Sequence, residues 1–436
     1  MRIFEQFALK NDEIVREQPS AFQKMPREAM GACVNVYPVK KQKVFGFGGA
    51  FTESAAINFA RMSCEEKEKT LEALFGESGL KYNFCRVCIG PSDFGQSSYS
   101  YVSEDDVTLE SFDISRDKKY VIPFIREALR KTKGKMFLFA SPWSPPAFMK
   151  DNQSLFGGGK LKKDKYELYA QYIVKFLKAY REEGIAISAV TLQNEPNAIQ
   201  TWESCLFTAE EEAEYGTVLY EILNKNGLGD VRILCWDHNK GNIFHRVSKI
   251  YPKMEERIWG AGFHWYDGEH FDELDLIRDL YPEKVLIETE FCNGQGDRRF
   301  SFYKTEILNN LKHGVNAICE WNLILDKDGG PYHNRNIGCN APIVFKDKKA
   351  ELSDIYKEMF MFSHFIAAGA QILYTSSYSS DIGIGAAKNP DGRIVVCLLN
   401  TGRDKTDFYL KIGEEYVALD MDPMTVKTLL LLDEAF

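Results

Sequence analysis

Short apolar runs alternate with amphipathic stretches from residue 44 to residue 368. Residues 82–89, 185–190 and 284–290 are largely apolar runs of strand length, whereas residues 164–183 space their aromatic side chains along one helix face. Apolar runs without polar alternation are typical of strands that are buried on both faces of a parallel sheet. The pattern predicts close to eight strand–helix units, and therefore an α/β fold built on a closed (β/α)₈ barrel rather than an open doubly wound sheet.

The pattern changes near residue 370, where short alternating runs replace the strand–helix units. Six such strands are predicted, at residues 371–378, 382–387, 393–400, 408–412, 416–419 and 426–432. Residues 33–39 alternate in the same way, so we expect them to pair with this C-terminal part. The predicted organisation is an N-terminal segment of residues 1–43 that contributes a strand, a barrel of residues 44–368, and an all-β sandwich side domain of residues 369–436.

Composition narrows the class of protein. The chain has 436 residues, of which 44% are hydrophobic and 27% are charged, as in ordinary soluble domains. The formal net charge of -9 argues against nucleic acid as a partner. No apolar run reaches the roughly 18 residues of a membrane span, and the N-terminus lacks the apolar core of a signal peptide. With ten scattered cysteines, these features predict reduced thiols and a cytoplasmic location.

Two of the buried strands end in glutamate. Residues 185–190 run into Thr-Leu-Gln-Asn-Glu-Pro, which contains Glu195, and the strand at residues 284–290 ends at Glu290. Since the carboxyl ends of barrel strands meet at one mouth, these two side chains predict the carboxylate pair that glycoside hydrolysis needs. Glu288 has the same strand parity as Glu290 and is the rival nucleophile. For Glu288, however, an ion pair with a barrel arginine such as Arg86 is the favoured interpretation.

Other polar residues at strand ends allow more than one interpretation. Asp93 fits sugar-hydroxyl binding and a loop cap equally well, and Trp143, set between prolines, fits a sugar platform or a packing residue. His238 and His264 suggest a metal site, but no HExxH spacing supports one, so we expect hydrogen-bonded supporting histidines and no metal. The glycine-rich run at residues 46–49 lacks the ending of a phosphate loop, and no cofactor is predicted.

A set of motifs occurs in an order that identifies a family. The motifs are FGGAFTE at residues 47–53, SDF at 92–94, SPWSPP at 141–146, QNEP at 193–196, FHWY at 263–266, TEFC at 289–292 and EWNL at 320–323. Together they resemble glycoside hydrolase family 30, the glucosylceramidase family, over nearly the whole chain. The resemblance implies a retaining β-glycosidase on a (β/α)₈ barrel with a β side domain.

The resemblance also implies roles for single residues. Glu195 corresponds to the acid/base and Glu290 to the nucleophile, and ionised Glu290 is expected to raise the pKa of Glu195. The expected substrate-binding residues are Asp93, Trp143, Asn194, Trp321, Asn336, Tyr266, His264 and Trp202, with Arg86 and His238 as supporting residues. The chain departs from the family where the stretch after the acid/base is shorter, near Trp202, and where Glu320 replaces the Asp of animal lysosomal members.

The resulting functional prediction is an exo-β-glycosidase that removes a terminal β-D-glucosyl unit from a small β-glycoside. A β-xylosidase, or another exo-β-glycosidase of the same family, is the alternative within the class. An inactive barrel that still binds carbohydrate is the alternative from a different class, and a metal-dependent hydrolase is a third hypothesis.

Overall fold

The chain folds into a closed barrel and a side domain, as seen in a computed structural model that describes residues 1–24, 32–293, 303–334, 336 and 338–432. Its strands are β1 (Arg2–Lys10), β2 (Glu13–Glu17), β3 (Gln23–Lys24), β4 (Cys33–Lys43), β5 (Gly46–Phe51), β6 (Phe84–Ile89), β7 (Phe137–Pro142), β8 (Ala189–Thr191), β9 (Arg232–Asn239), β10 (Gly260–His264), β11 (Val285–Glu290), β12 (Ala317–Glu320), β13 (Ile324–Asp326), β14 (Ile343–Lys346), β15 (Lys349–Leu352), β16 (Gln371–Ser377), β17 (Ile382–Lys388), β18 (Ile394–Asn400), β19 (Thr406–Ile412), β20 (Glu415–Met421) and β21 (Val426–Leu432).

The barrel consists of parallel strands β5 to β12, closed by the pairing of β12 with β5. Its helices are α1 (Glu53–Arg61), α2 (Cys64–Phe75), α3 (Ser115–Lys119), α4 (Val121–Lys131), α5 (Tyr166–Glu182), α6 (Ala209–Lys225), α7 (Ile243–Met254), α8 (Phe271–Leu280), α9 (Tyr303–Lys312) and α10 (Asp354–Ser363). The predicted (β/α)₈ barrel is confirmed. Helix α7 was not predicted from the sequence, because Pro252 in its last turn masks the helical pattern.

Polar N-cap residues define where several of these helices begin. Thr208 accepts a hydrogen bond from the backbone N–H of Glu211, whose side chain in turn accepts from the N–H of Thr208. This capping box starts α6. Ser63 caps α2 through the N–H of Glu66. Each cap satisfies backbone donors that the first helical turn leaves unpaired.

Two β-bulges interrupt the barrel at its functional end. The register shifts by one residue between β9 and β10, beside Asp237, and again between β10 and β11, beside Thr289. Trp236 and Asp237 have φ angles of 69° and 54°, in the left-handed region. The Thr289 hydroxyl donates to Asp237 Oδ1 at 2.5 Å, so each bulge supports the other. Bulges of this kind redirect side chains near active sites.

The side domain draws strands from both ends of the chain. One sheet runs in the order β2-β1-β21-β18-β17-β16-β4-β19-β20-β3 and forms the predicted β-sandwich. The prediction of an N-terminal strand is confirmed by β4, which extends beyond the predicted residues 33–39 to Lys43. Strands β1, β2 and β3 were not predicted. No helix in the described part of the chain is both long and apolar enough to cross a membrane.

Candidate active site

A cavity of about 270 Å³ opens at the carboxyl ends of the barrel strands. Nine of the residues predicted from the sequence line it: Asp93, Trp143, Asn194, Glu195, Trp202, His238, Tyr266, Glu290 and Trp321. Gln200, Asn239 and Cys292 complete the wall. Residues far apart in the sequence therefore meet where such barrels place their active sites.

Arg86, on β6, joins the strands beneath the cavity floor. It is fully buried, and its guanidinium donates to Glu290 Oε2 at 2.6 Å and to both Asn194 Oδ1 and Asp237 Oδ2 at 2.8 Å. The Nε–H donates to the hydroxyl of Ser141 at 2.9 Å. A buried cation with two anionic partners and further hydrogen bonds fixes the relative positions of four strand ends.

Glu290 has donors on both carboxylate oxygens. Arg86 binds Oε2, and the hydroxyl of Tyr266 donates to Oε1 at 2.9 Å. His264 Nδ1 lies 3.9 Å from the same Oε1. The carboxylate is therefore held in one orientation at the edge of the cavity.

Glu195 contacts two histidines. Its Oε1 lies 3.3 Å from His264 Nδ1 and 3.6 Å from His238 Nδ1, and its Oε2 accepts from Gln200 at 3.4 Å. Burial alone would raise the pKa of Glu195, but the contacts with His238 and His264 outweigh it and lower the pKa below its usual value. The net direction is therefore the opposite of the expected rise, because the two histidines and not Glu290 are the main charged neighbours.

His264 lies beneath Glu195 rather than in the cavity wall. It is fully buried, and its Nε2 is 3.1 Å from Asp237 Oδ1. Burial favours the neutral ring, but Glu290, Asp237 and Glu195 surround it and raise the pKa of His264 to about 9. The prediction grouped His264 with substrate-binding residues; the structure makes it a charged support that links Asp237 to Glu195.

The spacing of the two carboxylates follows from their shared neighbour. His264 Nδ1 is 3.3 Å from Glu195 Oε1 and 3.9 Å from Glu290 Oε1, so these two oxygens are at most about 7 Å apart. Retaining glycosidases place their carboxyl groups roughly 5–5.5 Å apart and inverting ones roughly 6.5–9.5 Å apart. The bound is compatible with the retaining spacing.

Two tryptophans and an aspartate form one side of the cavity. The rings of Trp143 and Trp321 stack with centroids 5.0 Å apart, and the Arg86 guanidinium lies 4.7 Å from the Trp143 centroid. Asp93 faces the cavity, where burial and the neighbouring Glu290 and Glu195 raise its pKa. Asn194 Oδ1 is held by Arg86, which leaves its amide nitrogen for a ligand.

Asn336 and Glu288 do not lie where the sequence suggested. Asn336 is exposed, accepts from the N–H of Gly338 at 2.7 Å and is absent from the cavity wall, so the structure does not bring it to the sugar site. Glu288 accepts from Asn310 on α9 at 2.7 Å and does not pair with Arg86. The suggested ion pair is wrong, because the Arg86 guanidinium pairs with Asp237 and Glu290 instead.

Asp237 is the main site residue that the sequence analysis missed. It accepts from Arg86, Thr191 and Thr289 and contacts His264, and these partners lower its pKa despite complete burial. Its signal was present in the sequence, because Asp-His-Asn follows an apolar run at residues 237–239. Nothing in the sequence showed that a bulge would turn the carboxylate inward.

One group in the described part of the chain has the composition of a metal site. Donor atoms of Glu195, His238 and His264 lie within 4.8 Å of one another. The raised pKa of His264 opposes metal binding, because a metal ligand must be the neutral imidazole. These residues fit a proton-sharing group better than a metal site.

Known proteins resemble both parts of the chain. The model of the glycosyl hydrolase family 30 TIM-barrel domain matches residues 44–367, and that of the family 30 beta sandwich domain matches residues 369–429. The lysosomal acid glucosylceramidase of Mus musculus is 32% identical over 418 residues, covering 89% of this chain and 80% of that protein.

Two solved structures are similar to this chain over nearly its whole length. The crystal structure of SrfJ from Salmonella typhimurium has a TM-score of 0.94 at 31% identity and covers 99% of each chain. An endo-β1,6-glucanase structure has a TM-score of 0.87 at 26% identity, covering 98% of this chain and 99% of the other.

Proposed function

Because the chain belongs to glycosyl hydrolase family 30, and is a glycosidase, we propose that it is a retaining exo-β-glucosidase of the β-glucosidase or glucosylceramidase type. The observation that carries this proposal is the pairing of Glu290 and Glu195 across one small cavity. Glu290 is held by Arg86 and Tyr266, as a nucleophile requires, whereas Glu195 is linked to the cationic His264. Two carboxylates in different environments fit the two roles of a double displacement.

In the first step, a carboxylate oxygen of Glu290 attacks the anomeric carbon of the bound glucoside. The bond from that carbon to the leaving oxygen breaks, and Glu195 gives the leaving oxygen a proton. A glycosyl ester on Glu290 results. In the second step, Glu195 takes a proton from water, the water oxygen attacks the anomeric carbon, and the ester bond breaks to restore Glu290.

The proton for the first step is stored on the pair of Glu195 and His264. In the resting site His264 is the cation and Glu195 the anion, with Nδ1–H directed at Oε1 over 3.3 Å. As the leaving group departs, this proton moves to Glu195 and on to the glycosidic oxygen. Asp237 then accepts from the remaining Nε2–H of neutral His264, which keeps the ring in the required tautomer.

The dimensions of the cavity support removal of one terminal sugar. Its volume of about 270 Å³ lies just below the roughly 300–1,000 Å³ of sites for drug-sized ligands, which suits a single sugar ring. Asp93 offers a carboxyl group to sugar hydroxyls, and Trp143 and Trp321 offer apolar surface to a ring face. We favour glucose over xylose because Asp93, Trp143 and Trp321 together suit it and the mouse relative is a glucosylceramidase.

Exposed apolar side chains lie on the segments beside the cavity and support an apolar aglycone. Ile199 is 68% exposed and Phe156 is 36% exposed. Their segments meet where the N–H of Gly157 donates to the carbonyl of Gln200, a cavity residue. The mouse relative is named a glucosylceramidase, and this name indicates a glucoside with a lipid leaving group. We propose that lipid or aryl β-glucosides are better substrates than β-linked sugars.

An endo-β1,6-glucanase activity is the second candidate. The observation that favours it is the full-length similarity to a solved endo-β1,6-glucanase. An endo enzyme must bind sugar units on both sides of the cleaved bond, which needs a groove longer than a cavity for one ring.

Product analysis separates the two activities. The protein would be incubated with an aryl β-glucoside, an aryl β-xyloside and a linear β-1,6-glucan, while NMR follows the anomer that forms first. We expect glucose released first as the β-anomer and little action on the glucan. A first-formed α-anomer would contradict retention, and release of oligosaccharides from the glucan would establish the endo activity instead.

A further inference from the structure

Two thiols touch at the edge of the cavity. Cys292 Sγ and Cys339 Sγ are 2.7 Å apart, about 0.7 Å longer than a disulfide bond of roughly 2.03–2.05 Å. Both cysteines are buried, at 6% and 2% exposure. All ten cysteines of the sequence lie in the described part of the chain, and all are free thiols. The proximity of this pair therefore calls for a chemical explanation.

The segments that carry the two thiols are already held together. The backbone N–H of Asn340 donates to the carbonyl of Asn293 at 3.0 Å, one residue beyond each cysteine. Phe94 and Trp321 pack in the same apolar cluster as the pair. A covalent bond between the sulfurs would thus need little backbone movement.

The pair also contacts the nucleophile's support. Cys292 lies two residues after Glu290 and lines the cavity. The hydroxyl of Tyr266 lies 3.6 Å from Cys292 Sγ and donates to Glu290 Oε1 at 2.9 Å. Oxidation of the Cys292 sulfur would therefore act on the Glu290 carboxylate through the side chain of Tyr266.

We propose that Cys292 and Cys339 are a peroxide-sensitive oxidation site, in which Cys292 is oxidised first, Cys339 resolves it to a disulfide, and the disulfide lowers turnover reversibly. Cys292 comes first because it lines the cavity, through which a small oxidant can enter. Contact with Cys292 and burial raise the pKa of Cys339, so that sulfur remains a thiol until an activated partner is present.

Hydrogen peroxide oxidises the two thiols to a disulfide in two steps. The thiolate of Cys292 attacks one oxygen of hydrogen peroxide, so a sulfur–oxygen bond forms, the oxygen–oxygen bond breaks, and hydroxide leaves and becomes water. Cys339 then attacks the sulfenic sulfur, so the sulfur–sulfur bond forms and the second hydroxide leaves with the Cys339 proton as water. Two thiols lose two electrons to one peroxide, and a dithiol reductant restores both.

Mass spectrometry tests the oxidation site independently of catalysis. The full chain would be treated with hydrogen peroxide, blocked with N-ethylmaleimide and digested. We expect a cross-linked peptide pair joining Cys292 to Cys339, lighter by two hydrogens than the separate peptides and lost after dithiothreitol. The exposed Cys64 serves as an internal indicator that the peroxide dose was sufficient. Oxidised Cys64 without the cross-link would overturn the proposal.

Two variants make the test specific. In Cys339→Ala, peroxide should leave sulfenic or sulfinic acid on Cys292, with no cross-link. In Cys64→Ala, the cross-link should form as in the unmodified chain. The effect on turnover rests on the proposed β-glucosidase function, so turnover of an aryl β-glucoside is first established in the reduced protein. It should fall several-fold in the cross-linked protein and recover with dithiothreitol. A quantitative cross-link with unchanged turnover would overturn the coupling to the active site.

Discussion

At the scale of single residues, Glu195 has an unusual backbone conformation. Its φ of 49° lies in the left-handed region, where a residue with a Cβ is rare. The neighbouring strand end fixes this geometry, because the Glu195 N–H donates to the carbonyl of Asp237 at 2.9 Å. Strain of this kind costs about 1–3 kcal/mol and collects at functional sites. Glu195 and Asp237 therefore share backbone support as well as the His264 bridge.

Substitution of Glu195 by Gln tests its role as an acid. Gln keeps the shape of the side chain but cannot give a proton, so kcat/KM for a poor leaving group should fall about 10²–10⁴-fold. A dinitrophenyl β-glucoside needs no proton and should lose much less activity in its first step. Steady-state and burst kinetics on both substrates measure the difference. Equal losses on both would contradict the assignment.

The pH profile tests the shared proton on Glu195 and His264. The pKa of His264 is raised to about 9, so the pair keeps its proton below that value and loses it as the pH rises through it. The alkaline fall of kcat/KM should therefore lie near pH 9. In His264→Gln the proton must stay on Glu195 alone, so the fall should move to lower pH.

His264 also makes stability depend on pH. Since its folded pKa exceeds its unfolded value of roughly 6.5, its stabilising contribution is complete below about pH 6.5 and is lost toward pH 9. Denaturant unfolding of the unmodified chain and of His264→Gln between about pH 6.5 and pH 9 measures this contribution.

For the pH profile of activity, an identical alkaline fall of kcat/KM in the unmodified chain and in His264→Gln would exclude the shared-proton model.

At the scale of elements, the periodic pattern of apolar residues predicted most of the barrel but did not predict the two β-bulges, which interrupt that pattern. Strands β6 and β11 and helix α5 lie close to the predicted residues 82–89, 284–290 and 164–183, because each has a full apolar face or run. The bulges beside Asp237 and Thr289 are long-range features of strand pairing, and no local pattern encodes them.

In the candidate site too, the residues in local sequence motifs were predicted, and those placed by three-dimensional geometry were not. Glu195, Glu290 and the tryptophans were found because they belong to motifs at strand ends. The place of Asp237 in the network and the exclusion of Asn336 from the cavity depend on three-dimensional geometry alone.

The capping box of α6 gives a prediction at this scale. Thr208→Ala removes the acceptor for the N–H of Glu211 and should lower the free energy of unfolding by about 1 kcal/mol. Thr217→Ala in the middle of the same helix is the matched control, since Ala is the better helix former there. Urea denaturation of both variants is the measurement. Equal destabilisation by the two changes would show that the cap is not the cause.

At the scale of the whole molecule, the side domain joins the two chain ends. Strand β1 lies between β2 and the last strand, β21, so the C-terminal sheet contains the start of the chain. The three N-terminal strands were not predicted, because two of them pair with strands at the other end of the chain. Both ends of the chain therefore contribute strands to the side-domain sheet.

Neighbouring residues on β1 test this arrangement. Ile3 is 4% exposed in the sandwich core, whereas Phe4 is 45% exposed. Ile3→Ala should lower the free energy of unfolding by about 2–5 kcal/mol. Phe4→Ala should change it by no more than about 0.5 kcal/mol. Guanidinium unfolding of each variant is the measurement. A larger effect at Phe4 would contradict the observed strand orientation.

The most direct test of the central claim is covalent trapping with an activated 2-deoxy-2-fluoro-β-glucoside, followed by peptide mass spectrometry. The fluorine slows hydrolysis of the glycosyl ester, so the intermediate should accumulate. We expect one fluoroglucosyl group on Glu290 and none on Glu288, which contacts α9. An adduct on Glu288, or no adduct with either the glucose or the xylose reagent, would contradict it.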